Sequence, residues 1–201
     1  ICKHIVMHYN HGWANGFHYT IRYWEIWNEP DIREFWSGTP EEYFKLYDTV
    51  ARALKSIDAE LKVGGPALAV VAHRDFLEQF LQFCRANRSP LDFVSWHIYP
   101  GGAPPYSVAE AAQQIQDVLQ TYGYENVENF LTEWNFSVEL YSKELANPAW
   151  AASVLIYLQD TSVSRAFRYG PANVLFEKAG QAFVAMKKML ETPVRLECTG
   201  S

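Results

Sequence analysis

Long apolar runs are missing from this 201-residue chain. No stretch approaches the roughly 18 consecutive apolar residues of a membrane-spanning helix, so no membrane partner is expected. Basic residues are few: 17 Lys and Arg stand against 23 Asp and Glu, for a formal net charge of −6. That balance argues against a nucleic-acid partner, because phosphate binding needs a basic surface that displaces counterions. Cysteine is scarce and scattered. Cys2, Cys84 and Cys198 have no metal-ligand spacing, and an odd count gives no disulfide framework. Cys84 falls in a helical pattern and reads as a small buried apolar residue. No signal-peptide pattern is visible. The chain opens at Ile1 and not at Met, so its true N-terminus is expected upstream and no localisation is read from it.

What the chain has is aromatic mass. It is 49% hydrophobic and 15% aromatic, with 7 Trp, 12 Tyr and 12 Phe. Disordered chains are poor in such residues and cannot offset their ordering entropy. Most of the tryptophans are expected in the core. Some suit a second use, since a flat ring stacks on the apolar face of a pyranose.

Apolar runs alternate with helical patterns along the whole chain. Residues 1–10 read as a helix closed by the turn His11-Gly12, and residues 22–28 (RYWEIWN) as a buried strand. Thr39-Pro40-Glu41-Glu42 combines a cap, a proline at the first helical position and a capping box. The stripe Phe44, Tyr47, Ala51, Leu54 follows at helical spacing. Strands are then expected at 61–65, 92–99, 129–134 and 164–169, and helices at 74–87, from Ser107 to about Gly123, from Asn147 to about Gln159, and at 179–191. Ser107 and Glu110 read as a second capping box. Five β/α units with helix-length crossovers imply a parallel sheet, either doubly wound or part of a (β/α) barrel. No phosphate-binding glycine loop supports the first. Polar residues gather where strands end: Asn28-Glu29, His97 with Tyr99, and Glu133. Chemistry at the C-terminal ends of several strands fits the barrel.

Glu29 and Glu133 each follow or end an aromatic-rich strand. A lone glutamate there is ordinarily a cap or a salt-bridge partner. Two of them, three strands apart on a curling sheet, can face each other. Cleavage of a glycosidic bond needs such a pair, one neutral acid to protonate the leaving oxygen and one anion facing the oxocarbenium-like carbon. Glu25 shares strand parity with Glu29 and is expected inside the barrel, paired with Arg22 or Arg168. A metal site is the weaker alternative: His4, His8 and His11 have helical spacing, but no carboxylate or cysteine completes a ligand set. No metal and no cofactor are expected.

YWEIWNEPD (23–31) together with FLTEWN (130–135) resembles the retaining glycoside hydrolases of clan A. The fuller stretch, through SGTPEEYFKLYD and KVGGPA to DFVSWHIYP, is similar to glycoside hydrolase family 39, over roughly residues 1–190. That family includes β-xylosidases, α-L-iduronidases and exopolysaccharide hydrolases. The resemblance implies a (β/α)8 TIM-barrel type fold, a carbohydrate substrate and a retaining double displacement. It implies Glu29 as acid/base and Glu133 as nucleophile. It makes Asn28 the partner of the sugar 2-hydroxyl, and His97 and Tyr99 a pair that lines the subsite and steadies the nucleophile. Trp27 and Trp134 are candidate sugar platforms, with core packing as the equal alternative. Glu177 is distantly similar to a substrate-binding glutamate after strand eight.

By this likeness the chain supplies strands four to eight, an incomplete barrel without strands one to three. Residues 1–191 form a partial catalytic barrel, and 192–201 a tail that begins a missing C-terminal segment. A complete barrel takes about 250 residues. Strands four and eight are then expected to be open edges, favouring self-association. The alternative function is a truncated, weak or inactive carbohydrate-binding fragment. A retaining enzyme predicts carboxyl groups about 5–5.5 Å apart.

Overall fold

The computed structural model describes residues 1–137, 146–170, 180–192 and 194. The element order is α1 (Cys2–His11), β1 (Tyr23–Glu25), α2 (Pro40–Lys55), β2 (Lys62–Leu68), α3 (Arg74–Asn87), β3 (Phe93–Ile98), α4 (Ser107–Thr121), β4 (Glu128–Trp134), α5 (Ala146–Leu158), β5 (Val163–Arg168) and α6 (Gly180–Met189). The strands form one sheet in the order β1-β2-β3-β4-β5, and every pair is parallel. This is the incomplete (β/α) barrel arrangement read from the sequence, with β1 and β5 at the edges. The chain divides into two compact units. The first holds Ile1–Ile98, Glu110–Trp134 and Ser162–Arg168, and so the whole sheet; the second holds Tyr99–Ala109, Asn135–Thr161 and Tyr169–Ser201. Most of the expected 192–201 tail, with Cys198, lies outside the described residues.

Local sequence explains most elements of the first unit. Gly12, at φ 72°, closes α1 in the left-handed conformation that glycine adopts without strain. The capping box of α2 is formed: Thr39 accepts from the Glu42 N–H, and the Glu42 carboxylate accepts from the Thr39 N–H at 2.8 Å. The stripe Tyr43, Phe44, Tyr47, Ala51 and Leu54 is buried. In α3 the buried set is Phe76, Leu77, Phe80, Leu81 and Cys84. Two glycines let layers approach closely. A Cβ on Gly64 would lie 2.3 Å from the Phe93 carbonyl oxygen and 2.5 Å from its ring. One on Gly65 would lie 2.9 Å from the Tyr43 hydroxyl. On the Gly64 side, Phe93 stacks on Phe130, and Tyr23 meets both rings.

Four expectations need correction. β1 is only three residues long and not buried, because the backbone leaves the extended region at Trp27 (φ 73°) and Glu29 (φ 50°). Glu25 is exposed and not an interior ion pair; Arg22 instead stands 3.9 Å from Glu60 at the surface. β2 runs through Gly64-Gly65-Pro66 to Leu68, past the end expected at residue 65, and takes a register irregularity between Pro66 and Leu68. Ser107 opens α4, but its buried hydroxyl has no partner among the described residues, so the second capping box is not formed. The N-terminal histidines make aromatic and backbone contacts: His4 stacks on Trp13, and His8 Nδ1 lies 3.0 Å from the Trp13 carbonyl oxygen.

Candidate active site

Glu29, His97 and Glu133 come from the loop after β1 and from the C-terminal ends of β3 and β4, all in the first unit. Their meeting depends on two register irregularities. Along β3 and β4 the pairing runs Trp96 with Leu131 and then His97 with Glu133, so Thr132 is an extra residue. Successive side chains of a strand point to opposite faces. Without the bulge His97 would stand beside Thr132, and Glu133 would turn to the helix side. The extra residue puts Glu133 on the face of His97, the kind of re-aiming for which bulges occur beside functional sites. The irregularity in β2 leaves Ala67 between Pro66 and Leu68 at φ 55°. Its carbonyl oxygen accepts the Glu29 N–H at 3.1 Å, and its own N–H donates to the Ser95 hydroxyl at 2.9 Å. Each bulge therefore serves one glutamate.

His97 Nδ1 lies 2.7 Å from Glu29 Oε1 and 3.8 Å from Glu133 Oε2. A carboxylate oxygen of Glu29 and one of Glu133 are within 4.8 Å of each other. The His97 side chain is 1% exposed, Glu29 13% and Glu133 29%. With Glu29 Oε1 as acceptor, whether or not the other carboxyl oxygen carries a proton, the imidazole donates from Nδ1. Nε2 is buried without a partner among the described residues. The imidazole is thus fixed against Glu29, while Glu133 is the more open of the two carboxylates. Among the described residues these three are the one group of His, Cys, Asp and Glu donors close enough to share a cation. The short His97–Glu29 contact accounts for the arrangement as a hydrogen bond.

The remaining candidates divide. Asn28 is half-buried, and no side-chain hydrogen bond occupies its amide among the described residues. Trp27 is 49% exposed, its indole N–H donating to the Phe35 carbonyl at 3.2 Å and its ring edge-on to Trp36. Trp134 is 0% exposed and presents no face to a ligand, so the expectation of a sugar platform there is corrected to core packing. His97, expected to steady the nucleophile, hydrogen-bonds Glu29 and stands 3.8 Å from Glu133. Tyr99 belongs to the second unit, where its ring meets Tyr169 edge-on at 6.2 Å. Glu177 lies outside the described residues.

Sequence reasoning missed Asp31. Its carboxylate is 1% exposed and accepts the Ala69 N–H at 2.8 Å and the Val70 N–H at 3.1 Å, with His73 Nδ1 at 2.9 Å. The available signal was an acidic residue directly after Asn28-Glu29-Pro30. A hollow of about 350 Å³ is lined by Pro30, Asp31, Arg33, Trp36 and Phe76. Neither Glu29 nor Glu133 lines it.

Comparison with known proteins gives a consistent result. The family model for glycosyl hydrolases family 39 matches residues 2–191. A β-xylosidase of Caldicellulosiruptor saccharolyticus is 49% identical over 83 residues, covering 40% of this chain and 16% of that protein. A β-xylosidase of Geobacillus stearothermophilus is 35% identical over 136 residues, covering 58% of this chain and 27% of that protein. The crystal structure of a glucosidase from Croceicoccus marinus superposes with a TM-score of 0.79 at 33% identity, over 84% of this chain and 37% of that one. The chain therefore spans well under half the length of each of these relatives.

Proposed function

The chain belongs to glycosyl hydrolase family 39, and on that premise we propose that it is a retaining glycoside hydrolase acting on β-xylosides or related glycans, with Glu133 as nucleophile and Glu29 as acid/base. The observation that carries this reading is the pair of carboxylates held within 4.8 Å at the ends of separate strand units. Inverting enzymes keep their carboxyl groups about 6.5–9.5 Å apart to admit a water between them, whereas retaining enzymes bring them to about 5–5.5 Å. The observed spacing supports the second geometry.

The roles are those implied by the resemblance of Asn28-Glu29-Pro30 and of Glu133 to the acid/base and nucleophile positions of the family. Glu133, the more open carboxylate, attacks the anomeric carbon from one face of the sugar. Glu29 gives its proton to the departing oxygen on the other. A glycosyl ester on Glu133 results. Glu29, now a carboxylate, takes a proton from an incoming water, which displaces Glu133 and regenerates both groups with the anomeric configuration retained. His97 holds Glu29 at 2.7 Å and so limits where its acidic oxygen points. The unoccupied Asn28 amide suits the 2-hydroxyl, and the exposed Trp27 ring suits the apolar face of the sugar.

The test is hydrolysis of aryl β-xylosides by the chain, compared with Glu133→Ala. Turnover by the unaltered chain that falls to background in the variant supports the reading. Equal rates, or none in either protein, would leave a carbohydrate-binding fragment as the better description.

A further inference from the structure

We propose that Asp31 is a positioning residue for the acid/base Glu29, acting as a clamp between the loop after β1 and the turn after β2; the inference rests on the reading of Glu29 given above. Three non-glycine residues of this neighbourhood, Trp27, Glu29 and Ala67, have φ of 73°, 50° and 55°. Such conformations cost energy and persist only where surrounding structure imposes them. Between the two loops, one main-chain bond is available to impose them on Glu29, from its N–H to the Ala67 carbonyl. Asp31 supplies the rest. Its Oδ1 accepts from Ala69 and its Oδ2 from Val70, the two residues that follow β2.

His73 completes the clamp. Its Nδ1 lies 2.9 Å from Asp31 Oδ2, its N–H donates to the Val70 carbonyl, and it is the residue from which α3 starts. A carboxylate that is 1% exposed is costly to bury unless its oxygens are satisfied. Here they are satisfied by three donors that all belong to the segment 69–73. Glu29, two residues before Asp31, is thereby tied to the end of β2 on both sides. Asparagine is the informative replacement. It has the same shape, but its NH2 must face a backbone N–H that needs an acceptor, so the clamp loosens without a cavity.

The readout is leaving-group dependence, which a merely structural role does not move. A dinitrophenyl leaving group departs with little protonation, whereas a phenyl group needs the general acid. The ratio of kcat/KM for phenyl over dinitrophenyl β-xyloside therefore reports proton donation and is independent of the fraction of protein folded. Glu29→Ala sets the limit by collapsing that ratio, since general acid catalysis contributes about 10²–10⁴. Asp31→Asn is expected to lower it by about tenfold or more, in keeping with the cost of misplacing a catalytic group by an ångström. His73→Ala, at a ring 43% exposed, is expected to lower it less, and decides the matter alone if Asp31→Asn does not fold. A collapsed ratio in Glu29→Ala with unchanged ratios in the clamp variants overturns the inference and leaves the role of Glu29 intact. An unchanged ratio in Glu29→Ala overturns that role, and the inference with it.

Discussion

His97 sits 2.7 Å from Glu29 and 3.8 Å from Glu133, so the buried imidazole is bonded to one carboxylate and only near the other. On the proposed roles, the asymmetry gives His97 the orientation of Glu29 as proton donor. His97→Phe fills the space but removes the donor at Nδ1. Its kcat on an aryl xyloside with a poor leaving group is expected to fall by about a hundredfold. His97→Asn, whose amide can place an N–H near the Nδ1 position, is expected to recover part of that loss. Steady-state kinetics on both variants check the pair.

Trp27 offers the exposed aromatic face next to Asn28 and Glu29. Removing a ring that binds ground state and transition state alike raises KM and spares kcat. Trp27→Ala is expected to raise KM for an aryl xyloside by about tenfold, equivalent to about 1.4 kcal/mol, with kcat changed far less. A fall in kcat at constant KM would place Trp27 outside the binding surface.

Gly64→Ala is expected to destabilise the fold without touching the carboxylates. The added methyl would meet the Phe93 backbone and ring at 2.3 and 2.5 Å, where no flexible side chain can yield. Overpacking of this kind costs about 1–3 kcal/mol, or several degrees in the melting temperature of a chain this long. Thermal unfolding followed by circular dichroism measures it.

The α2–α3 core makes stability fall at high pH. Burial, helped by the nearby Asp48 charge, pushes the Cys84 thiol from its ordinary 9.0 up to about 12. Burial does the same to Tyr124, from 10.0 to about 12, and holds Tyr43 and Tyr47 well above 10.0. Each group binds its proton more tightly folded than unfolded. The stabilisation is fully present below the unfolded values and is lost as pH rises through the folded ones. Unfolding free energy is expected to be insensitive to these groups at pH 8 and to decline between pH 9 and 12. At pH 8 an alkylating reagent is expected to label the half-buried Cys2 and spare Cys84 until the protein is unfolded, as peptide mass spectrometry would show.

Much of the fold was legible in the sequence because its signals are local. Thr39 and Glu42 cap α2, α3 occupies residues 74–87, and the strands alternate with helices as the periodicity implies. The glutamates were legible as strand-end residues. What escaped detection was register. Nothing in Leu131-Thr132-Glu133 marks Thr132 as the extra residue, because a bulge is a relation between two strands. The aromatic run 22–28 reads as a strand by composition, yet left-handed residues end the ladder at Glu25. Trp134 shows the limit of residue type alone: its burial is set by the layers around it. Ser107 shows the limit of motif matching, since its hydroxyl meets no donor among the described residues.

The central claim is that Glu133 is the nucleophile of a double displacement, and trapping its ester tests it most directly. The chain is incubated with a deoxyfluoro β-xyloside bearing an activated leaving group, digested, and mapped by mass spectrometry. The account predicts one added fluoroxylosyl unit on the peptide containing Glu133, formed in step with the release of leaving group and absent in Glu133→Ala. Release of leaving group with no adduct, or an adduct on any other residue, would contradict it.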